Sequence, residues 1–196
     1  MDKMLGGCFV NWIKIISGPN KEEVWEWVSD KINGKITVSA NKGRKIEAKY
    51  KKWPIVMEYY TMMAGNIPIS YTRVRATFTN IDGFKFKITN RNNLNTIGED
   101  LDMKKFTELD KDLIERFIIM TNNVQGIKPI LENKYIMDTL SSYNKFVLEI
   151  KELDDCGKSL GEYSNEIVFR TSGIIKNGEQ LKQLYNTVCK TLDNLA

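Results

Sequence analysis

Apolar and polar residues alternate along this chain with two different periods. Over residues 21–31 the spacing is helical: Val24, Trp27, Val28 and Ile32 form one stripe, and Glu22 and Glu23 occupy the first turn, where the helix dipole favours acids. Asn33-Gly34 ends that run, and Gly18-Pro19-Asn20 breaks the segment before it. Past Gly34 the period drops to two. Ile36, Val38 and Ala40 alternate with Lys35, Thr37 and Ser39, and Ile46, Ala48 and Tyr50 alternate with Lys45, Glu47 and Lys49. The intervening Asn41-Lys42-Gly43 predicts a three-residue hairpin loop that sets Val38 opposite Ile46, Ile36 opposite Ala48 and Lys35 opposite Lys49. A second hairpin is predicted from Thr72, Val74, Ala76 and Phe78, then Phe84, Phe86 and Ile88, joined through Ile81-Asp82-Gly83. Its register pairs Phe78 with Phe86 and places Arg73 across from Arg91.

Between these hairpins, residues 53–60 read as a strand opened by Pro54, and Gly65-Asn66-Ile67-Pro68 as a turn. Residues 103–109 form a short amphipathic stretch and residues 115–121 a buried strand. Asn122-Asn123 caps a helix from Val124 with Pro129 early enough to be tolerated, and residues 134–142 continue as helix. Residues 146–153 and 167–171 read as strands. In the closing helix, 179–195, Leu181, Leu184, Tyr185, Val188, Cys189, Leu192 and Leu195 make one continuous apolar face. The sum is an α+β protein: an antiparallel β-sheet of two hairpins plus further strands, with packed helices and a long C-terminal helix across it. Three stretches are distinguished: an apolar amphipathic segment at 1–20, a basic β-rich half at 21–98 and an acidic α+β half at 99–196, the last two readable as one continuous domain.

Charge sharpens that division. Residues 1–98 hold 16 Lys and Arg against 8 Asp and Glu, whereas residues 99–196 hold 13 against 17. The chain has no histidine, which removes Ser-His-Asp and Cys-His catalysis and His-ligated zinc. Cys8, Cys156 and Cys189 are odd in number and widely spaced, so reduced thiols in a cytoplasmic protein are expected. The acids Asp154 and Asp155 beside Cys156 oppose thiolate formation, and Cys189 falls on a core stripe. In residues 4–16, Phe9, Trp12 and Ile16 fall on one helical face. That face fits a helix packed on its own domain, or an anchor to a membrane interface or partner.

The two hairpins put Lys35, Lys45, Lys49, Arg73, Arg75, Lys85, Lys87 and Arg91 opposite the apolar sets. Like charges facing one another across a ladder cost up to about 1 kcal/mol. A sheet that tolerates them is either protecting its edges or presenting a surface to an acidic protein or anionic lipid. Nucleic acid lacks a specific motif here: no zinc finger, basic zipper or Gly-bearing RNA motif occurs, and Phe84, Phe86 and Tyr50 are expected on the apolar side, with Trp53 assigned to neither face. No phosphate-binding loop, dinucleotide fingerprint or nucleophile elbow occurs, and no cofactor is implied. The acid pairs Asp110/Asp112 and Asp154/Asp155 read as solvated loop residues.

The run from Tyr71 to Phe78 followed by Phe84 to Arg91 resembles a pattern in a family of uncharacterised bacterial proteins with no assigned activity. Its sharpest elements are Thr72-Arg73 and the strand Phe84-Lys85-Phe86-Lys87-Ile88. The resemblance covers about residues 24–195, implies the same fold outline and transfers no functional residue. The expected function is that of a non-catalytic binding protein using the basic sheet face, the apolar amino-terminal segment or both. The alternatives are a peripheral membrane-surface protein and a histidine-free, carboxylate-dependent hydrolase or metal enzyme.

Overall fold

The computed structural model describes residues 21–39, 43–91, 102–108, 111–153 and 165–195. Helix α1 (Lys21–Lys31) precedes β1 (Lys35–Ser39), β2 (Gly43–Tyr50), β3 (Trp53–Ala64), β4 (Ile67–Phe78), β5 (Phe86–Asn90) and the two-residue β6 (Lys104–Lys105). Then come α2 (Lys111–Arg116), β7 (Phe117–Thr121), α3 (Val124–Glu132), α4 (Lys134–Ser141), β8 (Phe146–Glu152), β9 (Asn165–Ser172) and α5 (Gly178–Asp193). The nine strands form one antiparallel sheet in the order β1-β2-β3-β4-β9-β8-β5-β7-β6. Strands from both halves of the chain therefore interleave, β5 lying between β8 and β7.

The helices begin where side chains can satisfy free backbone donors. The Asn123 side chain accepts from the Gln125 and Gly126 amides, and that of Asn177 accepts from Gln180. Asn133 ends α3 and caps α4 by accepting from Ile136. Every second residue of the central strands faces these helices. Ile46, Ile55, Met57, Val74, Ala76, Phe86, Ile88, Phe146, Leu148, Ile167 and Phe169 pack with Trp25, Val28, Ile127, Ile136, Leu181, Leu184 and Val188 in one buried cluster. Gly178 lets α5 start against the Trp27 ring, since a Cβ there would lie 2.6 Å from it.

Four expectations are corrected. The first hairpin sets Ile36 opposite Ile46 and Lys35 opposite Glu47, two residues from the expected register. β1 ends at Ser39 and β2 begins at Gly43, each one residue earlier than expected, and an even offset keeps each side chain on its face. The second hairpin does not form. The expected turn is there, with Gly83 at φ 62 and the Asn80 side chain bonded to the Phe84 amide and carbonyl. It nevertheless delivers the chain across β9 and β8 to β5. β4 instead pairs with β3 over ten positions and with β9 over eight, burying more than a five-residue β5 could. Glu115 and Arg116 belong to α2, so the strand there begins at Phe117, and the 103–109 stretch supplies β6.

One buried hydroxyl ties β4 to the link between β9 and α5. Thr72 Oγ1 donates to the Gly173 carbonyl at 2.8 Å and accepts from the Ile175 amide at 3.1 Å. Thr72→Val keeps the volume but strands both backbone groups, so urea unfolding should lose about 1–3 kcal/mol. Thr187→Val should cost less than about 1 kcal/mol, because Thr187 Oγ1 donates to the Gln183 carbonyl inside a helix.

Candidate functional site

The register places Lys35, Lys45, Lys49, Arg73, Arg75 and Lys87 on the sheet face away from the helices, as the alternation predicts. It also brings carboxylates to that face. Glu58 in β3 is 6% exposed, and its Oε1 accepts from Arg73 Nη2 at 2.7 Å and Arg75 Nε at 3.0 Å. Arg75 Nη1 also reaches Glu166 Oε2 at 3.4 Å, and Glu166 Oε1 pairs with Lys151 at 3.1 Å. Lys87 meets Glu149, Lys85 meets Glu152 and Asp102, and Lys45 meets Glu47. The expected crowd of cations is thus a compensated network, and neither predicted like-charge pair forms. Arg73 faces Glu58, not Arg91. An anion binding at Arg73 or Arg75 would have to displace a buried carboxylate.

Burial pushes Glu58 up, but the charges and hydrogen bonds of Arg73 and Arg75 outweigh it, and its carboxyl sits below the usual 4.5. The apolar residues Ile118, Val147 and Val168 are buried on this same face, outside the main core.

Among the described residues, Lys35, Lys49 and Arg91 make no ion pair. Arg91 donates to the Ile114 carbonyl at 3.0 Å and lines a cleft of about 240 Å³ with Glu115, Arg116 and Tyr143. A second groove lies between the first turns of α1 and α5, where Glu23 and Glu179 flank Trp27 and Lys176. Those acids suit helix N-termini. No group of three or more His, Cys, Asp or Glu able to hold a metal occurs among the described residues. Burial raises the Cys189 thiol to about 12, which leaves it protonated and unreactive. Phe9, Trp12, Ile16, Cys8, Cys156, Asp110, Asp154 and Asp155 lie outside the described residues.

A feature not anticipated from the sequence stands at one end of the sheet. β2 pairs with β3 only as far as Glu58, and β9 pairs with β4 only as far as Tyr71. Among the described residues, Thr61–Ala64 and Ile67–Ser70 therefore pair only with each other and project as a two-stranded ribbon closed by Gly65-Asn66. Met62 is 48% exposed, Met63 63% and Ile67 66%. Val38 and Ile174, also exposed, flank the ribbon's root, where the Gly173 amide donates to the Ser70 carbonyl. Among the described residues, five of the seven exposed large apolar side chains thus gather at this end, leaving Ile81 and Val124 elsewhere. Tyr60 and Tyr71 stack across the ribbon with centroids 5.3 Å apart, and the Arg73 guanidinium lies 4.5 Å from the Tyr60 ring. Fourteen consecutive residues, 59–72, carry no charge in a chain that is 28% charged, and that run was the available signal.

No protein-family model, curated protein or solved structure matches the chain. No described helix is long and apolar enough to cross a membrane.

The Glu58 network has a pH signature. A carboxyl whose folded value is depressed stabilises fully above its unfolded value of 4.5, and loses that contribution as pH falls through the lower folded value. Glu58→Gln should lower unfolding free energy by about 2–3 kcal/mol at neutral pH by leaving two arginines short of a partner. The gap between variant and wild type, followed by urea titration, should narrow steadily from about pH 5 to about pH 3.

Proposed function

We propose that this is a non-catalytic binding protein whose contact surface is the ribbon end of the sheet, residues 59–72 with Val38 and Ile174 beside them. The observation that carries this reading is a charge-free hairpin end that holds Met62, Met63 and Ile67 in solvent with Val38 and Ile174 beside them, while the two other exposed large apolar groups of the described surface, Ile81 and Val124, stand outside it. Exposing such a strand pair invites aggregation, and proteins usually blunt it with charge. Here the charge is withheld over the whole projection, which supports a contact role for it. The basic face contributes as a scaffold: Glu58 and Arg73 anchor the ribbon's root, with Arg73 seated on Tyr60.

A photoactivatable benzophenone residue at position 63 should give discrete adducts in intact cells, identified by mass spectrometry as protein or lipid. The same group at Ile81, a still more exposed apolar position at the opposite end, should give none. Equal labelling at both positions, or none at position 63, would overturn the reading. Met62→Ser with Ile67→Ser should abolish the adducts from position 63 yet change unfolding free energy by no more than about 0.5 kcal/mol.

A further inference from the structure

The ribbon end bears apolar side chains on both of its faces, and this says what kind of surface it meets. Successive strand residues point to opposite sides. Met63 lies across from Pro68 on the side toward the helices, while Met62 lies across from Ile69, and Ala64 from Ile67, on the other. A groove on a protein would cover one side of such a ribbon, whereas an acyl layer surrounds both. Strand addition along β4 would also lose a bond at Pro68, which has no amide hydrogen.

Chemistry is graded along the ribbon as well. The apolar tip is followed by the Tyr60–Tyr71 stack and then by cations. Arg170 stands across from Arg73 in β9, and Lys145 is exposed beside Ser172, whose amide donates to the Lys145 carbonyl. Arg91 and Arg116 lie at the same end of the sheet, with Glu115 in their cleft. Among the described residues Arg170, Lys145 and Arg91 make no ion pair; of the acids at this end, Glu22, Glu23 and Glu179 sit on the helix side, and Glu115 lies in the cleft beside Arg91 and Arg116. Apolar tip, tyrosine collar and cationic base follow the order of acyl boundary, headgroup zone and anionic surface in a bilayer.

We propose, resting on the binding role of the ribbon argued above, that residues 61–70 insert into the interface of an anionic lipid bilayer. Tyr60 and Tyr71 then lie at headgroup level, and Arg170, Lys145 and Arg91 face the lipid phosphates. Four residues per strand reach about 13 Å, enough for the 5–10 Å depth of an interfacial element. Among the described residues the ribbon's outer backbone groups, apart from the Ser70 carbonyl, have no strand beside them to pair with, so the insertion stops at the interface and does not cross the hydrocarbon.

The test uses the full chain and sedimentation with vesicles of phosphatidylcholine containing about 30 mol% phosphatidylglycerol. Wild type should pellet with these vesicles and release about tenfold when salt rises from about 0.1 to about 0.5 M. Met63→Asp with Ile67→Asp should weaken partitioning at least about tenfold without changing thermal unfolding. Arg91→Gln, Lys145→Gln and Arg170→Gln together should erase the preference for anionic over neutral vesicles. Ile67→Trp should add blue-shifted emission that brominated lipids quench. Wild-type partitioning by the ribbon variant, or emission at position 67 that lipid leaves unquenched, would overturn the insertion and assign any vesicle binding to another segment. Absence of vesicle binding alongside protein adducts from position 63 would overturn the lipid assignment and leave the binding role of the ribbon standing.

Discussion

Everything distinctive in this molecule follows from the pairing of two twelve-residue strands that outrun their neighbours. β3 and β4 share ten paired positions, but β2 leaves β3 after Glu58 and β9 leaves β4 after Tyr71. Inside those limits each strand has a helix layer on one face and a polar network on the other, so its register is held from both sides. A slip of one residue would bring Arg73, Arg75 and Glu58 into the core and turn Val74 and Met57 outward. Outside the limits the same two strands keep their ladder and lose both layers. The ribbon is the remainder of a pairing too long for the sheet that holds it.

The charged face makes sense as part of that constraint. Burying Glu58 and Glu166 carries a desolvation cost that only close, multiply bonded partners offset. The arginines serve because one guanidinium can donate to two carboxylates at fixed angles, as Arg75 does to Glu58 and Glu166. The network thereby links β3, β4, β9 and, through Lys151, β8, with every bond crossing a strand boundary. Such a network adds little net stability compared with apolar packing, but a wrong strand order would leave buried charges unpaired. It works mainly by excluding alternatives.

Local pattern in the sequence was sufficient for most elements and for the faces of the strands. The stripe of Leu181, Leu184, Val188 and Leu192, the Asn123 and Asn177 caps, and the alternation of lysines and arginines with apolar residues are all properties of short windows. Partner choice was not legible, because it is decided between residues far apart. Phe78 and Phe86 satisfy a hairpin pattern as well as they satisfy the sheet that forms, and only the competing claim of Ile167 and Phe169 on β4 separates the two. The same gap hid the neutralising acids. Glu166 and Glu149 lie more than sixty residues beyond Arg75 and Lys87, which they meet, so a charge count by halves registers an acidic half and a basic half instead of a single compensated face. The ribbon is concealed differently: its signal is a lack of charge over residues 59–72, and the turn pattern at Gly65 does not specify how far the strands on either side extend.

The two ends of the sheet then differ for a physical reason. At the end away from the ribbon, the β2–β3 turn is clasped to α5. Asp193 accepts from Tyr50 Oη at 2.8 Å and from Lys51 Nζ at 2.6 Å, and Lys51 takes a positive φ of 52 to make that reach. Trp53 is buried there beneath stacked Tyr50. The β2–β3 turn, closed in this way, keeps its aromatic side chains against the fold. At the ribbon end the corresponding tie is made one layer lower, by Thr72 and by the Tyr59 hydroxyl donating to the Ile175 carbonyl, so the molecule is fastened just below the point where the ribbon leaves it. A projection meant to meet another surface needs a rigid base, since motion at the base would spend the contact's free energy on ordering. The bonds at residues 59, 72, 173 and 175 supply that base, and they do so without placing a single charge on the ribbon.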